Sequence, residues 1–154
     1  MDWQLGGIPL HPLFVHLTTV AVPVAALAAI AVALWPAARR WLAVGSPVIG
    51  LVALVSVPLA TQSGEWLEAR TEETAALERH TELADGLLPW TVTLFVLMLA
   101  WWAWHRFGVA AVDSVAARRV VGAVVPVLLL VVAVGTAVDV VLIGHAGAMS
   151  VWAD

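Results

Sequence analysis

Four long apolar stretches, 13–35, 44–60, 87–104 and 120–143, leave this chain few ways to fold. Each approaches the roughly 20 residues that an α-helix needs to cross the hydrocarbon of a bilayer. In water, runs so rich in Val would favour strands. Inside lipid the backbone must satisfy its hydrogen bonds within each segment, so stretches this long and continuous read as helices. Pro23, Pro47, Pro58 and Pro126 lie within or at the ends of the stretches. Membrane helices accept proline, with a kink as the consequence. Composition agrees: 62% of the residues are hydrophobic and 12% charged, against roughly 45–50% and about 25% in soluble domains. Residues 1–10 carry Asp2 and no basic residue, so the first stretch reads as a span and not as a cleavable signal.

Charge excludes some functions and orients the chain. The net charge is −4, and no basic cluster exceeds an Arg pair, so nucleic-acid binding has no electrostatic support. Cysteine is absent, which removes disulfides, thiolate-held zinc, cysteine-held iron–sulfur clusters and thioether-linked haem. Arg39 and Arg40 separate the first two spans, and Arg106, Arg118 and Arg119 separate the last two. The loop 62–86 holds only Arg70 and Arg79 against six Glu and Asp85. The positive-inside rule therefore predicts a multi-pass protein of the cell membrane with both termini and the acidic loop extracytoplasmic. Most of the nine Trp residues sit at span ends, as interfacial anchors do.

Within the acidic loop, Trp66, Ala69, Glu73, Leu77, His80 and Ala84 recur at helical steps, giving one half-apolar face. The architecture expected is all-α: one domain, 1–154, forming a four-helix transmembrane bundle. An extracytoplasmic amphipathic helix, about 65–86, would join spans two and three.

Four of the five histidines fall at the extracytoplasmic end of that topology: His11, His16, His80 and His145. A histidine inside a span usually faces the bundle interior or a cavity, which is the expectation for His16. The bland alternative is a His bonded to nearby backbone. His11 precedes Pro12, a residue at home in a first helical turn, and is expected just outside the helix. A helix continuous through both would instead set His11 and His16 about 140° apart. His80 shares the inward face of the loop helix. His145, in Gly144-His145-Ala146-Gly147, has small neighbours that permit close approach, or is an incidental helix-end residue. Asp139 would orient a histidine or pair with Arg70 or Arg79. His105, beside Arg106, reads as interfacial.

Imidazole ligates iron, copper, zinc and nickel alike. Facing histidines in a membrane bundle suit the axial positions of haem b, with Arg70 or Arg79 pairing the propionates. His16 and His80 are the first axial pair to consider, with His11 and His145 as substitutes. The same histidines with Glu65, Glu68 or Glu73 also fit a bare Zn, Cu or Fe ion. The expected role is an electron carrier or binding protein near the extracytoplasmic face, and not a substrate-converting enzyme. Its partners would be the lipid bilayer and a redox protein or larger membrane complex. Small-xxx-small steps near Ala116–Gly122 and Gly144–Ala148 would serve a homo-oligomer or an accessory-subunit role.

The chain resembles the DUF2231 family of bacterial multi-pass membrane proteins. The resemblance rests on residues 7–16, Gly-Ile-Pro-Leu-His11-Pro-Leu-Phe-Val-His16, on Ala60-Thr61-Gln62-Ser63-Gly64-Glu65-Trp66, on His80, and on 144–152. Ser63-Gly64-Glu65 stands where the family shows a Thr-Gly-type step, and the tail ends Ser150-Val151-Trp152. The resemblance implies a four-span bundle and, through relatives joined to Rieske or c-type cytochrome domains, a redox setting. Its matching histidines are His11, His16 and His80; His145 occupies a more variable position.

Overall fold

Gly6 and Gly7 both have positive φ, +59° and +84°, and they close a two-residue hairpin between β1 (Gln4–Leu5) and β2 (Ile8–Pro9). Two adjacent residues with positive φ match a tight turn to the twist of antiparallel strands. The pairing is Gln4 with Pro9 and Leu5 with Ile8. This structure, a computed structural model, describes residues 2–72 and 74–152, the last two by backbone only. Glu73, one of the candidate carboxylates, lies outside them. The hairpin ends against the first helix: Leu10 N–H donates to the Trp3 carbonyl at 2.9 Å, and Trp3 meets Phe14 edge-on.

Helix α1 then runs His11–Leu34, α2 Pro36–Leu42, α3 Gly45–Glu68 and α4 Ala75–Ala103. A π-helical turn, Trp104–Gly108, leads through α5 (Val109–Ala111) to α6, Val115–Trp152. Four helical segments are long and apolar enough to cross a membrane. They form a ring in the order α1, α3, α4, α6, whose diagonal pairs scarcely meet. Neighbours are antiparallel, as the contacts of Thr18 with Ser56 and of Trp90 with Gly135 require.

Small residues set the spacing of the core. On α1, Ala21, Ala25, Ala26, Ala28, Ala29 and Ala33 are buried, which lets backbones approach where lipid supplies no hydrophobic drive. Buried hydroxyls return to helix carbonyls: Thr18 Oγ1 donates across to Ser56 O at 3.1 Å, and Thr136 Oγ1 to Val132 O at 2.7 Å. Large apolar side chains point outward instead, Val20, Leu27, Val131 and Val141 each more than half exposed. That inversion suits a lipid surround.

Trp90 lies flat on α6 at Gly135, where a Cβ would come within 2.5 Å of the indole. Gly135→Ala is expected to destabilise the bundle by about 1–3 kcal/mol through overpacking. Thermal unfolding in detergent checks this; an unchanged midpoint would show that the contact yields freely. Trp90 and Trp101 are therefore packing residues of the bundle as well as span-end residues. Trp101 is buried and donates Nε1–H to Val32 O at 3.1 Å.

The loop helix expected over 65–86 is divided. Span two continues as helix through Glu68, and the chain turns before α4 begins at Ala75. Thr74 is extended, and its hydroxyl accepts from Leu77 N–H at 3.2 Å, which caps the new helix. Of the amphipathic pattern, Trp66 belongs to α3 and Leu77, His80 and Ala84 to α4, while Ala69 caps the end of α3 and Glu73 lies outside the described residues. At about 1.5 Å per residue the 38 residues of α6 extend about 57 Å, well beyond the roughly 30 Å of hydrocarbon.

Candidate functional site

His11 is the first residue of α1, with Leu10 as N-cap and Pro12 inside the first turn. Proline is accepted there because that N–H has no helical partner to lose. The helix is thus continuous through His11 and His16, which corrects the expectation that His11 lies just outside it. Five residues of helix turn the two side chains to different sides. His11 is half-buried against α3, whereas His16 is exposed and bonds only its own helix, Nδ1 to Pro12 O at 2.6 Å.

The His11 ring lies on α3. Its Nδ1–H donates to the Ala60 carbonyl at 3.0 Å, with Ser63 Oγ at 3.4 Å. Ser63 is fully buried and donates back to Leu59 O and Ala60 O. One turn beyond Ala60 is Gly64, and a Cβ there would stand 3.0 Å from His11 Cε1 and 3.2 Å from Nδ1. Any larger residue would push the imidazole away from the carbonyl.

The other half of the bundle repeats this arrangement. His80, in the second turn of α4, lies on α6 with Nδ1 3.1 Å from the Ile143 carbonyl. One turn further is Gly147, where a Cβ would stand 3.0 Å from His80 Cε1 and 3.1 Å from Nδ1. Helices α1 and α4 are diagonal and parallel, so the two imidazoles sit at one end of the bundle. They are within electrostatic reach of each other. A carbonyl acceptor places the proton on Nδ1 and leaves the Nε2 lone pair available. Among the described residues no hydrogen bond engages either Nε2.

The remaining candidates are dispersed. His145 and Glu65 are exposed, as are Arg70 and Arg79. Arg70 folds onto its own helix end, donating to Trp66 O at 2.7 Å with its guanidinium 4.0 Å over the Trp66 ring. Asp139 faces α4 at Gly86, and its buried Oδ2 has no hydrogen-bond partner. The expected pairing of Asp139 with a histidine or arginine is therefore absent among the described residues. No three His, Asp or Glu side chains among those residues gather closely enough to hold a bare metal ion.

Sequence reasoning named His11, His80, Gly64 and Gly147 but not their registration. The acceptors, Ala60 and Ile143, are invisible in sequence because a carbonyl belongs to every residue. A signal was present: each glycine follows a small residue, Ser63 or Ala146, at the far end of an antiparallel partner of the histidine's helix.

A family model described as "Predicted membrane protein (DUF2231)" matches residues 7–154. No curated protein and no solved structure matches the chain.

Proposed function

The chain belongs to the DUF2231 family of predicted membrane proteins, and for this multi-pass membrane protein we propose a role in binding haem b through His11 and His80 for electron transfer. One observation carries the reading: two imidazoles, each fixed by an Nδ1–H bond to a helix carbonyl, each with no Nε2 hydrogen bond among the described residues. That is how a ligating histidine is usually held, its second nitrogen donating to a carbonyl that sets the tautomer and ring orientation. Haem is held by one or two axial protein ligands, whereas a bare zinc ion usually takes three or four. A pair without a third His, Asp or Glu nearby thus favours haem among the described residues.

Bound there, haem would supply reversible one-electron chemistry. The residues of this chain orient the ligands, and Gly64 and Gly147 keep both rings against the backbone. Arg79, exposed and next to His80, is the freer partner for a propionate; Arg70 is committed to Trp66. The arginine-poor, carboxylate-rich histidine end is the extracytoplasmic one in this reading, by the positive-inside rule.

A visible spectrum of detergent-purified protein, produced with ample haem and recorded before and after dithionite, tests it. A Soret band that shifts, with sharpened α and β bands on reduction, is the expected result. Colourless protein under those conditions overturns the haem reading.

A further inference from the structure

The opposite end of the bundle carries a second feature, a cleft of about 420 Å³ lined by Arg39, Arg40, Arg106, His105, Trp101 and Ser46 among others. We propose that this cleft binds a phosphate-bearing anion, in the membrane the headgroup of an acidic phospholipid. Three guanidinium groups and an imidazole line it, and among the described residues no carboxylate does. Asp113 is the one acidic residue in the sequence between α4 and α6. Basic pockets between membrane helices at the headgroup level are suited to lipid phosphates.

The cleft is built, not merely charged. Arg39 is pinned, its Nη1 donating to Val32 O at 3.0 Å and Ala33 O at 3.3 Å, with the guanidinium 5.6 Å from the Trp101 ring. Guanidinium has five N–H donors, so most remain for a ligand. Burial, and then the adjacent Arg40 charge, hold the Arg39 pKa below its ordinary value. Loss of solvent disfavours the charged form, and the neighbouring cation adds to the effect.

Two backbone irregularities shape the same wall. The π turn Trp104–Gly108 brings His105 and Arg106 to the cleft, and such turns recur at functional sites. His105 stands edge-on to Trp101 at 4.3 Å. Ala43, also lining the cleft, has φ +37°, a conformation that costs a non-glycine residue energy. Trp35 and Trp41 are exposed beside it, 67% and 87%, as indoles at headgroup depth are.

The test uses native mass spectrometry of the full chain in detergent with phosphatidylglycerol, phosphatidylcholine or inorganic phosphate. Wild type is expected to retain phosphatidylglycerol at least roughly tenfold better than phosphatidylcholine. The Arg40→Gln/Arg106→Gln variant, which alters exposed side chains with no hydrogen bonds to lose, is expected to drop to the phosphatidylcholine level. Arg118→Gln/Arg119→Gln removes the same formal charge outside the cleft and is expected to keep the preference. Equal losses in both variants would replace the site with a diffuse field, and no preference in wild type would overturn the proposal outright. Displacement of the lipid by millimolar inorganic phosphate would assign a soluble phosphate as ligand; resistance to it would assign the lipid.

Discussion

His11→Gly and His80→Gly are each expected to abolish the haem spectrum, while His16→Gly and His145→Gly leave it intact. Removing an outer-shell partner of a ligand typically lowers cofactor affinity about 10–100-fold; removing the ligand itself exceeds that. The contrast with His16 is the sharper half of the prediction. Both His11 and His16 occupy the first turns of α1, yet only His11 reaches across to another helix. Added imidazole is expected to restore pigment to the two glycine variants, because each cavity is shaped for that ring. Rescue separates a lost ligand from a lost fold. Retention of pigment in His11→Gly with its loss in His16→Gly would reject the His11–His80 pair.

Gly147→Leu and Gly64→Leu are expected to be nearly as severe without touching a histidine. In each case the new side chain would occupy the space where the imidazole rests, with even its Cβ only 3.0 Å from the ring. The Ala variants require the ring to give by a few tenths of an ångström, stretch the Nδ1 hydrogen bond, and are expected to lower occupancy several-fold. Gly144→Leu provides the control. It lies on the same helix, and a Cβ there meets nothing within 4 Å, so pigment and melting temperature are expected to persist. Haem occupancy per protein, read from the reduced spectrum, ranks the series. A Gly147→Leu variant as pigmented as Gly144→Leu would show that the ring needs no such seat.

The four spans were legible because lipid permits so little else. Continuous apolar runs with arginines between them specify the helices almost regardless of detail. Their ends were less legible: α3 and α4 reach past the apolar runs on the histidine side, since Ala, Glu and Leu sustain a helix in water too. The Gly6-Gly7 hairpin had a local signal, two glycines between Leu5 and Ile8, that the short leader obscured. The histidine pair turned on one point, whether Pro12 ends or begins a helix. Once Pro12 falls in the first turn, rotation assigns His11 inward and His16 outward. The arginine cleft had no comparable signal, because the π turn that carries His105 and Arg106, with the Trp104 ring packed over Gly108, follows no residue pattern.

The repetition of one histidine seat on two helix pairs has a consequence for assembly. Each pair, α1 with α3 and α4 with α6, completes its own seat internally. A group gripped by both rings would tie together α1 and α4, which otherwise scarcely touch. Ligand occupancy and docking of the two halves become one linked equilibrium. A ligand present at a thousand times its dissociation constant adds about 4 kcal/mol to that docking. A cofactor held this way would also be a clasp, and the bundle's cohesion would rise and fall with its supply.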